Sequence, residues 1–251
     1  MTLERSRQEW EELAALDPLW AILSDPAQRG GRWDLDAFLR TGAEEVDRVL
    51  GTAEQLGYPH RKESALDFGC GVGRLTRALA AHFATCCGVD ISERMLEQAH
   101  RINRDVPGCR FVLNTATDLR QFEDRSFDLV YSAIVLQHLP SLAVVRAYVR
   151  EFIRVIRPGG LVVFQLPYLI PWRNRIQPRR RAYTLGRTIG LSERLLYDRL
   201  GLNPISMRAV PRDEIERIAA GCGARVALAE PDTDLHQPIR SYRYYVHLRD
   251  E

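Results

Sequence analysis

Residues 64–76 read Ser-Ala-Leu-Asp-Phe-Gly-Cys-Gly-Val-Gly-Arg-Leu-Thr, and these types in this order suit the close holding of a ligand. A short apolar run ends at Asp67, Gly69, Gly71 and Gly73 alternate behind it, and an amphipathic segment follows. A strand that feeds a glycine turn and then a helix N-terminus lets backbone N–H groups approach a bound molecule. The triplet also fits a turn that needs only positive φ or tight helix–strand packing. Asp90 closes a second apolar run, Cys87-Gly88-Val89-Asp90. A carboxylate there can accept from two neighbouring ligand hydroxyls at once. Alternatively it caps the helix starting near Glu93, a role that Ser92 can also fill. His138, in Leu136-Gln137-His138-Leu139-Pro140, is a candidate base because imidazole titrates near neutrality. Its other reading is a positioning residue that hydrogen-bonds loop backbone and shapes the pocket.

The elements that must carry these residues follow from periodicity. Strands are predicted over 64–68, 85–89, 109–113, 127–132 and 160–166, with helices over 74–83, 93–104 and 141–155 and a weaker crossover near 117–121. Alternation at this spacing predicts a parallel sheet with helices on both faces. Ahead of it, a helix over 3–24 and a second from an Asp34 cap to about Leu56 form an N-terminal section, with Phe38, Val46, Val49 and Leu50 inward. After the turn Arg157-Pro158-Gly159-Gly160 and the fifth strand, the rhythm breaks. Residues 168–209 are rich in Pro and Arg, carry the run Trp172–Arg181 and have helical character over 192–200. A helix at 211–221 and strands at 224–230 and 240–248 finish the chain. Domain organisation is expected to be an N-terminal cap over 1–59 and a catalytic domain over 60–251, with 168–209 as an insertion lining the acceptor pocket.

Composition narrows the function classes. The chain has 251 residues, 35 basic and 33 acidic, for a net charge of +2. That balance argues against a nucleic acid held over a wide basic face. Lys62 is the only lysine, which excludes lysine-base chemistry elsewhere. The five cysteines form neither paired Cys-x-x-Cys units nor a Cys/His cluster, and the six histidines are scattered, so no metal site is expected. A polar, acidic opening predicts no signal peptide, no apolar run reaches membrane-spanning length, and free cysteines suit the cytoplasm. The spacing is also not the dinucleotide fingerprint Gly-x-Gly-x-x-Gly, because Arg74 stands where the third glycine belongs.

An acid at the first strand tip, three alternating glycines and a second acid at Asp90 resemble the S-adenosylmethionine site of class I (Rossmann-like) methyltransferases, small-molecule type, from about residue 60 to 251. The resemblance implies an α/β fold, a doubly wound seven-stranded sheet in the order 3-2-1-4-5-7-6 with its last strand antiparallel. It implies S-adenosylmethionine as cofactor and S-adenosylhomocysteine as product. It assigns Asp67 to ordering the loop and the amino-acid end of the cofactor, and Gly69, Gly71 and Gly73 to close backbone approach, with Cys70 as loop filler. Asp90 takes the ribose, Ile91 and Met95 wall the adenine, and Asp118 in Thr117-Asp118-Leu119 takes the adenine amino group. Ala133 approaches the methionine portion. In the N-terminal section, Arg40 stands as a ligand for the cofactor carboxylate or as a solvated helix arginine, with Thr41 beside it. The run of arginines in 172–181 meets an anionic acceptor or is a solvated loop. The expected reaction is methyl transfer to a small-molecule acceptor, at a hydroxyl of a sugar, lipid or secondary metabolite. An RNA methyltransferase and a non-catalytic cofactor-binding regulatory module are the alternatives.

Overall fold

Strand alternation sorts the side chains into two cores. In the computed structural model, which describes residues 2–232 and 239–248 with the Arg173 side chain left out, the elements run in order. They are α1 (Leu3–Leu16), α2 (Pro18–Ile22), α3 (Leu35–Gln55), β1 (Ser64–Phe68), α4 (Arg74–Leu79), β2 (Thr85–Asp90), α5 (Glu93–Ile102) and β3 (Cys109–Leu113). Then come β4 (Phe127–Ser132), α6 (Leu142–Val155), β5 (Ile156–Leu169), α7 (Trp172–Arg175), α8 (Pro178–Thr188), α9 (Arg212–Gly221), β6 (Ala224–Asp232) and β7 (Arg240–Leu248). The seven strands form one sheet in the order 3-2-1-4-5-7-6. Strands β1 to β5 pair in parallel, and β7 runs antiparallel to both β5 and β6. This is the expected doubly wound α/β sheet.

Successive strand side chains point to opposite faces. Leu66, Phe68, Val130, Val162 and Phe164 meet Tyr148 and Phe152 of α6 and Ile215 and Ile218 of α9 on one face. Ala65, Leu129, Tyr131, Leu161 and Val163 meet α4 and the residues Val46, Val49, Leu50 and Ala53 of α3 on the other. A sheet covered on both sides explains why these strands read as apolar runs. The C-terminal half of α3 therefore belongs to the sheet's own core. Its first turns instead place Phe38 in a third cluster with Leu13, Trp20, Met95 and Tyr197, where α1, α2, α5 and the insertion meet.

Four local expectations change. The helix expected over 3–24 breaks at Asp17, because Pro18 has no N–H to donate back to the preceding turn. Asp17 then caps α2, accepting from Trp20 N at 3.4 Å. Residues 117–121 form bends instead of a helix. There Leu119 N donates to Glu151 Oε2 at 2.7 Å, an anchor that replaces a helical partner. In the insertion, the helical character expected over 192–200 is present at 193–199, mostly as a π-helical turn, Leu195–Arg199, but a longer helix that was not expected precedes it, α8, opened by Pro178 at its first position. Finally, β5 starts at Ile156. Phe127 faces Ile156 while Leu129 faces Leu161, so residues 157–160 bulge out opposite Asp128. Asp128 holds that bulge, accepting from Arg157 Nη1 at 3.0 Å and from the N–H groups of Glu63 and Ser64 at 2.9 Å.

Candidate active site

The loop leaving β1 is held open from beneath. Gly69 and Cys70 donate their N–H groups to Val89 O at 2.7 and 3.0 Å, tying the loop to the neighbouring strand. Gly69 has φ +76°, and a Cβ there would overlap the Val135 side chain. Gly71 has φ +53°, and a Cβ there would lie 2.5 Å from Ile22 Cδ1. Both positions combine a backbone that disfavours L side chains with no room for one. Asp90 at the tip of β2 completes the arrangement. Its Oδ2 accepts from Gly71 N at 2.8 Å and its Oδ1 from Ser92 N at 2.9 Å. Burial raises its pKa, against these hydrogen bonds, which lower it. Ser92 takes the cap of α5, its Oγ accepting from Met95 N at 3.2 Å.

Above these strand tips lies a cavity roofed by Leu3, Ser6, Trp10 and Ile22 of α1 and α2. Eight of the residues singled out from sequence line it: Gly69, Cys70, Gly71, Asp90, Ile91, Met95, Ala133 and His138. The others lie outside. Asp67 points to α4, accepting from Thr76 Oγ1 at 2.7 Å, while its Oδ1 is buried with no partner. Burial pushes this carboxyl up to about 7, with Thr76 and Arg74 pulling it down. Gly73 starts α4 in the left-handed region and packs against Asn103 and Phe111. Thr117 is exposed, Leu119 is in the core, and Asp118 pairs with Arg120 at 3.0 Å. Arg40 is exposed, and Thr41 Oγ1 donates to Phe38 O at 2.6 Å.

Asn114, Tyr148 and Arg74 are among the lining residues that the sequence reading did not single out. Asn114, after β3, points into the cavity wall and donates to Asp118 O at 3.0 Å, and Tyr148 beside it donates to Ala116 O at 2.5 Å. No spacing signal marks either of them. Arg74 had one, because it occupies the place of a third glycine. It is a buried arginine held by Glu45 Oε2 at 2.8 Å and Thr41 Oγ1 at 3.2 Å, with Tyr131 OH donating to the other Glu45 oxygen at 2.7 Å. Its Nε has no partner. Gly42 lets α3 come this close, since a Cβ there would stand 2.7 Å from Arg74 Cγ.

His138 is fixed by both nitrogens. Nδ1 lies 2.5 Å from Ser206 O, a pure acceptor, so it carries the proton. Nε2 then accepts from Gln137 Nε2 at 3.2 Å. The edge of Trp10 packs on the ring, with centroids 5.6 Å apart. Burial lowers the imidazole to about 4, outweighing the Ser206 contact, which raises it. The ring is therefore neutral at physiological pH and a weak base. Beside it Ile134 sits at φ +60°, a strained conformation for a β-branched residue, held by a hydrogen bond from its N–H to Gln165 Oε1 at 3.2 Å.

The roof is interlocked with the insertion. Buried Asp17 accepts from Gly30 N, Gly31 N and Tyr197 OH at 2.7, 3.0 and 3.1 Å. The Arg29 guanidinium lies over the rings of Trp20 and Tyr197 and donates to Tyr197 O at 2.8 Å. Tyr183 of α8 donates to Glu12 Oε2 at 2.7 Å. Glu11 of α1 reaches the other way, accepting from Glu93 N at 2.6 Å at the start of α5.

Residues 66–164 match the methyltransferase domain family. The chain is 32% identical over 134 residues to a ubiquinone biosynthesis O-methyltransferase of Paracidovorax citrulli, covering 53% of this chain and 55% of that protein. It is 34% identical over 101 residues to a 2-methyl-6-phytyl-1,4-hydroquinone methyltransferase of Synechocystis, covering 40% and 30% respectively. It thus spans at most about half the length of these curated relatives. Among solved structures it superimposes on a magnesium protoporphyrin IX methyltransferase of Synechocystis, solved with S-adenosylhomocysteine, with a TM-score of 0.58 at 18% identity over 92% of this chain and 93% of that one. With the strand order, the glycine loop and the acid at each strand tip, these likenesses show the class I methyltransferase fold, with a match to the methyltransferase domain family over residues 66–164.

Proposed function

We propose that the chain methylates a phenolic or hydroquinone-type hydroxyl of a small, largely apolar molecule, using S-adenosylmethionine. The residues at the strand tips fit that cofactor. Gly69 and Gly71 leave a cradle that a Cβ would fill, Asp90 stands at the β2 tip, and Ile91 and Met95 give an apolar wall. When bound, the cofactor supplies an activated methyl group and a good leaving group. The chain's own residues hold the acceptor, exclude water under the roof of Leu3, Trp10 and Ile22, and orient the hydroxyl.

The observation that carries the acceptor class is the state of His138. A neutral imidazole lowered to about 4, with both nitrogens engaged, is too weak to take a proton from an aliphatic alcohol. A phenolic hydroxyl ionises near pH 10 and asks far less of its surroundings. Among the described residues the cavity is lined by one carboxylate, Asp90, whose two oxygens already accept from Gly71 N and Ser92 N. The name of the first relative, a ubiquinone biosynthesis O-methyltransferase, supports transfer to oxygen, and that of the second supports an acceptor of the hydroquinone type.

The test is product formation with labelled S-adenosylmethionine and three acceptor sets: alkylated hydroquinones and catechols, hexoses, and short RNA. Methylation of the phenols alone is expected. Transfer to hexoses would overturn the acceptor class, and transfer to RNA would establish the RNA reading. Tight cofactor binding with no product from any set would leave a regulatory binding module.

A further inference from the structure

We propose that α7 and α8 dock the protein onto an anionic lipid surface. Between Leu169 and Ser192 the sequence holds six arginines and no aspartate or glutamate, although the whole chain is nearly neutral. The same stretch concentrates exposed apolar side chains. Trp172 is 67% exposed, Ile176 43%, Leu185 64% and Ile189 69%. The other three tryptophans are buried or half-buried.

Helical spacing explains how both characters come to one side. Tyr183 and Gly186 turn α8 toward the body of the protein. Tyr183 is anchored on Glu12, and a Cβ at Gly186 would stand 2.5 Å from Leu196 Cδ2. Arg181, Ala182, Leu185 and Ile189 then follow one another on the outward side, all exposed. Ile176 and Leu185 share an open groove with Arg5, Arg175 and Arg181, and no acid lines that groove.

Charge decides the occupant. A second copy of the chain would bring arginine against arginine, which repels. RNA would satisfy the arginines but gain nothing from exposed Trp172, Leu185 and Ile189. An anionic bilayer accepts both: phosphate-rich headgroups for the guanidinium groups, and the headgroup–acyl boundary for the tryptophan and aliphatic side chains. Among the described residues no helix is long and apolar enough to cross a membrane, so the contact is with the surface. The inference is independent of the acceptor assigned above.

The experiment is co-sedimentation of the full chain with vesicles of phosphatidylcholine alone and of equimolar phosphatidylcholine and phosphatidylglycerol, at low and high salt. Expected are binding to the anionic vesicles, loss at high salt, and a blue shift of tryptophan emission that vanishes in Trp172→Ser. Leu185→Ser/Ile189→Ser and Arg179→Glu/Arg181→Glu should each weaken binding by about tenfold or more. Their melting temperatures should not move, since all four side chains are exposed. Absence of binding, or binding indifferent to both double variants, overturns the proposal. So does a concentration-dependent dimer in light scattering that Leu185→Ser/Ile189→Ser abolishes, or retention on RNA in place of vesicles.

Discussion

The strand tips of β1 and β2 and the roof above them are built on different principles. At the tips, local chemistry does the positioning. Gly69, Gly71, Asp90 and Ser92 lie within 24 residues of one another and bond to each other or to the next strand. In the roof, nearly every defining contact spans a large sequence distance. Asp17 meets Tyr197, Arg29 meets Tyr197 and Gly201, and Glu12 meets Tyr183. The strand tips are thus preorganised by their own segment, whereas the roof depends on two remote segments agreeing on one geometry.

The comparison is sharpest at the joint between the two regions. Glu45→Ala should have the largest effect, because it leaves buried Arg74 without its carboxylate. A loss of roughly 3–5 kcal/mol is expected in urea unfolding, and a loss below 1 kcal/mol would show that the pair is replaceable by water. Asp90→Ala should come next. It removes the acceptor of two N–H groups, so stability should fall by roughly 1–3 kcal/mol. Calorimetric affinity for S-adenosylhomocysteine should fall by more than that stability loss predicts. Equal losses would make Asp90 purely a loop brace.

Asp67→Asn tests the tips through pH. A carboxyl held at about 7 in the folded chain, against an ordinary value of 3.8, binds more protons when folded than when unfolded between those values. Its native stability contribution therefore falls as pH rises through that window. The amide variant should melt several degrees above the native chain at pH 8 and close to it at pH 4. A constant difference across that range would contradict the burial argument.

Asp17→Ala tests the roof. It strands four donors, Trp20 N, Gly30 N, Gly31 N and Tyr197 OH, and should speed hydrogen exchange across 2–33 and 178–202, leaving sheet amides protected. Exchange rising uniformly would show that roof and sheet unfold as one. The smallest effect is expected for His138→Gln. Turnover should drop about tenfold or less with cofactor affinity unchanged, as suits a positioning residue. The stability difference between wild type and variant should also shift against the wild type as pH falls from 6.5 through about 4, where the unfolded chain takes up a proton that folded His138 refuses. The variant lacks that group, and an identical acid profile would remove the assignment.

Sequence alone determined the sheet, the glycine loop and the acid at each strand tip, because strand period, turn glycines and helix caps are properties of neighbouring residues. It also marked Asp34 as a cap. It misread Asp17-Pro18 as helix interior, overlooked α8 behind an arginine run, and had no means of finding Asn114 or Tyr148 in the cavity wall. Only the tertiary structure decided that Asp67 faces α4, that Arg74 is buried against Glu45 while Arg40 faces water, and that His138 is neutral. Each of those depends on which distant segment covers a side chain, and burial is a property of the assembled chain.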